Sequence, residues 1–138
     1  MSARPVVTVG AIVVRPDGKI LLVRTHKWRN RLGIPGGKIE YGETQEAALA
    51  REILEETGLV IRDIRFILVQ ESIDSPEFHR PSHMVLLNYS CRVDDTSQLV
   101  LNDEAEAYFW HTPSEALALD LNTPTRALIE TWLRATPA

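Results

Sequence analysis

The chain has 138 residues, of which 44% are hydrophobic and 25% charged, and its formal net charge at pH 7 is -4. That length supports one domain, 1–138, with one sizeable core. The acidic balance argues against a protein that coats nucleic acid, because phosphate-backbone binding usually appears as an excess of Lys and Arg. No apolar segment is long enough to span a bilayer, and residues 1–7 lack the apolar stretch of a signal peptide.

The first elements are predicted to form a hairpin. Residues 6–14 and 20–24 are rich in Val, Ile and Leu and are typical of strands, and PDGK between them (16–19) is typical of a tight turn. In the loop that follows, Trp28 is able to stack on a base, and Lys27, Arg29 or Arg31 is able to meet phosphate. A Trp28 that only anchors the loop would give the same pattern.

A glycine turn and a helix occupy the middle of the chain. After Pro35, the adjacent Gly36 and Gly37 let the backbone turn sharply and approach a ligand, so that a carbonyl there can reach a metal. The run 44–58 predicts a helix with Thr44 as its N-cap and Gly58 as its left-handed C-terminal residue.

The predicted helix has a core face and a carboxylate face. The core face is expected to contain Ala47, Ala50, Ile53, Leu54 and Thr57. Glu52, Glu55 and Glu56 fall together on the other face, where each like-charge pair costs roughly 0.2–0.5 kcal/mol. Three convergent carboxylates suit Mg²⁺ bound together with water and substrate phosphate. A merely solvated acidic face is the alternative.

Two further charged residues are predicted to support this site. Glu43 precedes the helix, where its charge interacts well with the helix dipole, and Arg51 on the helix flank is able to pair with it and hold the loop in place.

The remaining elements complete a predicted mixed sheet. Strands are expected at about 61–73, 82–93 and 108–111, and helices after Thr112-Pro113 and Thr123-Pro124. The loop 75–83 offers Phe78, His79, Arg80 and His83 for contacts with base, ribose or phosphate, although His83 starts a strand and a structural role fits it equally. The single cysteine, Cys91, is predicted to be a buried structural thiol in a protein of the reducing cytoplasm.

Segment 37–59 resembles the signature of the Nudix hydrolases, G-x5-E-x7-R-E-U-x-E-E-x-G-U, where U is aliphatic. The positions are filled by Gly37, Glu43, Arg51, Glu52, Ile53, Glu55, Glu56, Gly58 and Leu59. A chance match over a chain of this length has a probability of about 10⁻⁶. The resemblance, to MutT-like members in particular, implies an α/β fold, an α/β/α sandwich with a mixed β-sheet.

The resemblance also implies an activity. Nudix hydrolases split the pyrophosphate linkage of a nucleoside diphosphate joined to another moiety, such as a nucleoside triphosphate, ADP-ribose or a nucleotide sugar, with bound Mg²⁺ or Mn²⁺. Divalent ions neutralise phosphate oxygens and acidify the attacking water. A non-catalytic nucleotide-binding or RNA-binding module of the same fold, and an RNA 5′-end pyrophosphohydrolase, are the alternatives. Membrane partners are not expected.

By matching positions, the resemblance assigns roles to individual residues. Glu52 and Glu56 are expected to ligate metal directly, Glu55 to join them or hold the water, and the carbonyl of Gly36 to complete the ligand set. Glu52 is the proposed base. Glu104, which precedes Trp110, resembles a later loop glutamate that reaches the metal, although NDEAEA (102–107) is also typical of an ordinary polar loop.

The predicted substrate contacts are Arg24, Trp28, His79 and Arg80, of which Arg24 resembles a family position that holds the substrate. None of them identifies the group that is joined to the nucleoside diphosphate. The sequence leaves open a monomer or a homodimer.

Overall fold

The computed structural model describes residues 4–135. Its strands are β1 (Val6–Val14), β2 (Ile20–Arg24), β3 (Leu32–Gly33), β4 (Gly36–Lys38), β5 (Arg62–Ile73), β6 (His83–Arg92) and β7 (Ala107–His111). Its α-helices are α1 (Gln45–Thr57), α2 (Pro113–Ala116) and α3 (Thr123–Ala135), and one 3-10 turn spans His26–Trp28. The bounds of the predicted strands agree with these to within one residue.

The sheet is mixed, with the order β3-β2-β1-β6-β5. β1 and β6 run parallel along their whole length, from Val6↔Met84 to Val14↔Arg92, and the other pairs are antiparallel. β4 also pairs with β1, with Gly36 opposite Gly10, and β7 pairs with β2. The glycine turn is therefore part of the sheet, and the sheet fixes its position relative to α1.

The two faces of the sheet carry separate cores, because alternate residues of a strand point to opposite sides. Val9, Ala11 and Val13 of β1 pack with α1 residues such as Leu49 and Ile53. On the opposite face the core contains Ile12, Ile20, Leu22, Leu128 and Ile129. Each fully buried Leu or Ile contributes about 1.5–3 kcal/mol. A helix on each side of the sheet gives the α/β/α sandwich that the sequence predicted.

The ends of α1 agree with the sequence, but its buried face does not. Thr44 Oγ1 accepts a hydrogen bond from the Ala47 N–H at 3.2 Å, and Gly58 has a left-handed φ of 76°. The buried residues are Ala48, Leu49, Ile53, Glu56 and Thr57. The predicted core face was therefore wrong for Ala47 and Leu54, which are exposed. The helix is rotated so that one of its glutamates points inward.

The starts of the two C-terminal helices are capped by side chains. Thr112 forms the predicted cap of α2, in a capping box with Glu115. For α3 the predicted cap Thr123 lies inside the helix, and Asn122 Oδ1 accepts the Thr125 N–H at 2.9 Å instead. Thr123 donates through its N–H and hydroxyl to Glu77, both at 2.8 Å, which places negative charge at the positive end of the helix dipole.

Two further expectations concern cysteine chemistry and membranes. Cys91 is 1% exposed, and burial raises the pKa of its thiol to about 12, so the prediction of a buried thiol is confirmed. Across residues 4–135, none of the helices has the length and hydropathy that crossing a bilayer requires.

Candidate active site

Glu56 is a carboxylate held inside the protein. It lies in the last turn of α1, its residue is only 5% exposed, and its Oε2 accepts a hydrogen bond from the Gly36 N–H at 3.2 Å. Burial raises the pKa of this carboxyl to about 8, and the negative charges of Glu104 and Glu52 add to the rise. One backbone donor does not offset the loss of hydration, so Glu56 favours either a proton or a cation.

Glu52 lies one turn earlier on the same side of α1. Its carboxylate occupies the space beside the Gly37 α-carbon, where the β-carbon of any other residue would overlap it. Its side chain is 16% exposed and accepts a hydrogen bond from Arg51 Nη1 at 3.0 Å. Burial raises the pKa of Glu52 despite the opposing guanidinium, and the charges of Glu55 and Glu104 act in the same direction as burial.

Gly36 is required by the backbone around it. A β-carbon at this position would overlap the carbonyl oxygen of Val9 in β1. The absence of a side chain allows β4 to pair closely with β1 while the Gly36 N–H donates to Glu56. Gly36 thus lies against the Glu56 carboxylate, and Gly37 lies against the Glu52 carboxylate.

Glu104 reaches the same region from the loop before β7. The Asn102 N–H donates to the carbonyl of Glu56 at 3.1 Å, and the Glu104 N–H donates to Asn102 Oδ1 at 3.0 Å, which ties the loop to the end of α1. The Glu104 carboxylate raises the pKa of both Glu52 and Glu56 and lies 3.3 Å from Lys27 Nζ. Glu104 therefore lies close enough to act electrostatically on Glu52 and Glu56.

Glu55 lies on the outer side of this group. Its side chain is 58% exposed and pairs with Arg51 Nη1 at 3.2 Å, whereas Glu56 is buried. Within residues 4–135, no group of three or more Asp, Glu, His or Cys side chains has an arrangement that could hold a metal ion. The sequence placed Glu55 and Glu56 on one common face, whereas one points outward and the other inward.

Glu43 and Arg51 form a brace across the base of the loop. Arg51 donates through Nε and Nη2 to the two carboxylate oxygens of Glu43, at 2.6 and 2.7 Å, and also to the Lys38 carbonyl at 3.1 Å. Glu43 Oε1 accepts the Glu40 N–H at 2.9 Å as well. The guanidinium holds the pKa of Glu43 down to about 2, and Glu43 raises the pKa of Arg51. This geometry fits the supporting role predicted for both.

The donor set fits a divalent cation. Burying a carboxylate with a single hydrogen-bond donor is costly unless a cation compensates the charge. Carboxylate oxygens are ligands of hard cations, and Mg²⁺ completes its octahedron with waters and substrate phosphates, so it does not need a full cage of side chains. Glu52 and Glu56, with Glu104 nearby, would hold such an ion, and Glu55 lies at its outer edge.

An open cleft of about 180 Å³ adjoins the glycine turn. Its wall includes Gly36, Gly37, Lys27 and Trp28, so Trp28 is one predicted substrate contact that lines it. Arg24, His79 and Arg80 are not in this wall. Arg24 lies over the Phe109 ring at 5.2 Å, and His79 and Arg80 are exposed on the loop before β6. Loss of hydration, followed by the nearby positive charge of Arg80, lowers the pKa of His79.

Several cleft residues were missed at the level of sequence. Asn88 and Asn122 line the cleft and are 5% and 3% exposed, and Gln70 contacts Asn88 from β5. The one available signal was Asn88 itself, a polar residue inside the apolar run of a predicted buried strand. Of the three cations proposed to meet phosphate, Lys27 alone lines the cleft. Arg31 lies near Glu77 at 3.8 Å, and Arg29 donates to the Phe78 carbonyl at 3.2 Å.

Comparison with known proteins shows the family of the chain. The family model of the NUDIX domain matches residues 4–133. The nucleoside triphosphatase NudI of Salmonella paratyphi B is 31% identical over 129 residues, which cover 86% of this chain and 91% of the relative. The crystal structure of a MutT NUDIX hydrolase from Burkholderia pseudomallei is 31% identical and has a TM-score of 0.78, covering 93% of this chain and 98% of its own. A NUDIX hydrolase from Nitrosomonas europaea, 24% identical with a TM-score of 0.76 over 95% and 90% of the two chains, shares the fold. The chain therefore belongs to the Nudix hydrolase family of enzymes.

Proposed function

We propose that this protein hydrolyses the pyrophosphate linkage of a nucleoside triphosphate, or of a related nucleoside diphosphate derivative, with Mg²⁺ as its cofactor and Mn²⁺ as a substitute. The observation that carries the proposal is the buried Glu56 carboxylate, held against Gly36 beside Glu52 and Glu104. The similarity to a nucleoside triphosphatase supports nucleoside triphosphates as the first candidates.

The arrangement of the site suggests how a nucleotide lies in it. The Gly36-Gly37 turn borders both the cleft and the carboxylates, so a base in the cleft would direct its phosphates toward Glu52 and Glu56. Trp28 in the cleft wall offers a ring for stacking. Lys27 lies in the same wall and near Glu104, where it complements phosphate charge.

The chemistry follows from the residues around this turn. A bound divalent cation supplies charge neutralisation at the phosphate oxygens and lowers the pKa of water. Glu52, whose carboxylate is half enclosed and oriented by Arg51, accepts the proton as water attacks phosphorus. The bond from that phosphorus to the bridging oxygen breaks, and the leaving phosphate departs with the bond electrons. The ion pair between Arg51 and Glu43 holds the loop against the helix during this step.

A substrate panel tests the proposal. Deoxynucleoside triphosphates, ADP-ribose, nucleotide sugars and dinucleoside polyphosphates are incubated with Mg²⁺, with Mn²⁺ and with EDTA, and released phosphate and pyrophosphate are assayed. We expect turnover of triphosphates that EDTA abolishes and that added Mg²⁺ restores. If the protein binds these ligands without metal-dependent turnover, it is a non-catalytic binding module, and the proposal fails.

A further inference from the structure

Two loops meet beside the cleft and bring basic side chains together. The His79 N–H donates to the Lys27 carbonyl at 2.7 Å, and Arg29 Nε donates to the Phe78 carbonyl at 3.2 Å. The imidazole rings of His26 and His79 lie edge to face, with centroids 6.3 Å apart. These contacts create one surface, which we name the basic rim and which consists of His26, Lys27, Arg29, His79 and Arg80.

The cations of the basic rim repel one another. Loss of hydration lowers the pKa of His79, and the nearby charges of the other four members lower it further. Like charges at close range cost free energy unless an opposite charge offsets them. In the part of the chain that the structure describes, neither Arg29 nor Arg80 forms an ion pair with a carboxylate, while Lys27 pairs with Glu104 at 3.3 Å. The rim therefore lacks most of the negative charge that would offset its cations.

This lack of negative charge contrasts with the rest of the protein, whose net charge is -4. Ion pairs with Asp or Glu neutralise six other arginines of the described residues, namely Arg15, Arg31, Arg51, Arg62, Arg65 and Arg92. A guanidinium presents its donors in a planar fork that matches the oxygens of phosphate. Two unpaired guanidiniums beside two imidazoles therefore suit an anion with several oxygens.

The basic rim adjoins the proposed position of the phosphates and extends beyond the cleft wall. Lys27 lies in the wall and also near Glu104, so it connects the rim to the carboxylates. His79 and Arg80 are exposed and are not part of the wall. A nucleotide whose base fills the cleft and whose phosphates meet the carboxylates of α1 would leave these outer cations unused.

We propose that the basic rim is a second anion site, which binds a phosphate group of the substrate other than the phosphates held at the carboxylates. The protein then favours nucleotides with a further phosphate, placed either on the 3′ oxygen of the ribose or at the end of a longer 5′ chain. Both sources present the same chemistry to the rim, a terminal phosphate with three acceptor oxygens. The place of the nucleotide in this inference rests on the proposed function.

Inorganic pyrophosphate tests the anion site without a nucleotide. The chain has four histidines, of which His26 and His79 belong to the rim, whereas His83 and His111 each lie 3.7 Å from a carboxylate. Titration in EDTA is followed by the NMR signals of the imidazole C–H groups, and we expect shifts at the two rim histidines and not at the other two. Absence of shifts at His26 and His79, or equal shifts at all four, would overturn the inference.

Matched nucleotides identify which phosphate the rim binds. Adenosine 3′,5′-bisphosphate differs from AMP by a 3′ phosphate, and adenosine tetraphosphate differs from ATP by one phosphate at the end of the 5′ chain. The same comparisons are made with uridine nucleotides, so that the result does not depend on one base. In calorimetric titrations in EDTA, we expect one of the two added phosphates to raise affinity at least about fivefold, and the gain to shrink as salt is added. No gain from either added phosphate, or no binding of any of these ligands, would overturn the inference.

Two variants connect the gain to the rim. Among the described residues the Arg80 side chain has no hydrogen bond or ion pair, so Arg80→Gln should not disturb the fold. We expect Arg80→Gln to lower the affinity ratio within the responding pair at least about twofold, and Arg29→Gln to lower it as well. Arg134→Gln removes the same charge from an exposed position of α3 outside the rim and serves as the control. An unchanged ratio in both rim variants, or an equal fall in Arg134→Gln, would overturn the inference.

Hydrolysis, measured separately, distinguishes this inference from the proposed function. A gain from an added phosphate in EDTA, without metal-dependent turnover of any nucleotide in the substrate panel, would leave the anion site intact and refute the hydrolase proposal. Metal-dependent turnover without a gain from either added phosphate would refute the anion site alone.

Discussion

The carboxylate of Glu52 occupies the space that a β-carbon on Gly37 would take. A methyl group at Gly37 would therefore displace the proposed base while leaving the strands and helix in place. We expect Gly37→Ala to lower kcat/KM by about 10²-fold or more, since small displacements of a catalytic group are costly. Steady-state hydrolysis and circular dichroism together check this.

The control for that substitution is Gly18→Ala, in the turn between β1 and β2. Gly18 has a φ of 86° and open space around it, so alanine strains the backbone without touching the site. We expect a stability loss of about 1 kcal/mol and normal turnover. Equal loss of activity in both variants would show that backbone strain, and not displacement of Glu52, explains the effect.

Glu56→Gln tests two effects of the Glu56 charge, its contribution to catalysis and its destabilisation of the metal-free folded protein. Because burial raises the folded-state pKa of Glu56 to about 8 from its ordinary value of 4.5, the folded protein holds a proton that the unfolded chain releases between those values. Stability of the metal-free protein should therefore fall as the pH rises through this window, by on the order of 4 kcal/mol. Glutamine carries no charge and should remove this dependence.

Urea unfolding in EDTA at pH 5 and pH 8 measures that dependence. Metal-free Glu56→Gln is expected to be more stable than the parent protein at pH 8 and similar to it at pH 5. Turnover with Mg²⁺ is expected to fall by about 10³-fold, because a charged ligand is lost. An equal pH dependence of stability in the two proteins would contradict the buried charge at Glu56.

Metal and proton should compete at Glu56. Below the raised pKa of about 8, a cation must displace the proton, so apparent Mg²⁺ affinity should rise by up to about tenfold per pH unit toward pH 8 and then level off. The rise in melting temperature with added Mg²⁺ at several pH values provides the measurement. An affinity that is flat between pH 6 and pH 8 would place the ion away from Glu56.

Glu43→Gln is expected to weaken the brace without removing a metal ligand. Glutamine cannot make the paired charged contact with Arg51, so both stability and activity should fall, and activity less than in Glu56→Gln. Since Arg51 lowers the folded-state pKa of Glu43 to about 2, its stabilising contribution is present above about 4.5 and is lost as the pH falls toward 2. The variant and the parent should converge in stability over that acid range.

Glu55→Gln is the matched control, because Glu55 pairs with the same arginine from a more exposed position. Its effect on stability should be small, as expected of exposed ion pairs. If Glu55→Gln destabilises the protein as much as Glu43→Gln, the bidentate pair has no special structural role. Both variants are compared by urea unfolding at pH 7.

Local chemistry explains which features could be predicted from the sequence. The cap at Thr44, the left-handed Gly58 and the strand bounds depend on neighbouring residues, and the structure agrees with them. The ion pair between Glu43 and Arg51 could likewise be predicted, because the two opposite charges lie just before and within the same helix.

Long-range packing explains what could not be predicted. The sequence put Glu55 and Glu56 on one carboxylate face opposite the core face, because helical periodicity separates charged residues from apolar ones. The buried position of Glu56 depends on its hydrogen bond from the Gly36 N–H, which lies within reach because β4 pairs with β1. The polarity of the cleft depends on Gln70, Asn88 and Pro124, which are distant in sequence.

The carboxylate of Glu77 joins the loop before β6 to the first turn of α3 through Thr123. The next residue, Phe78, stands at the cleft lip. A ligand that contacts Phe78 therefore acts on the same short segment, Glu77-Phe78, that is hydrogen-bonded to the first turn of α3. Amide hydrogen exchange at Thr123, which follows Asn122 of the cleft wall, should slow when a nucleotide occupies the cleft, and the start of α3 would then report occupancy.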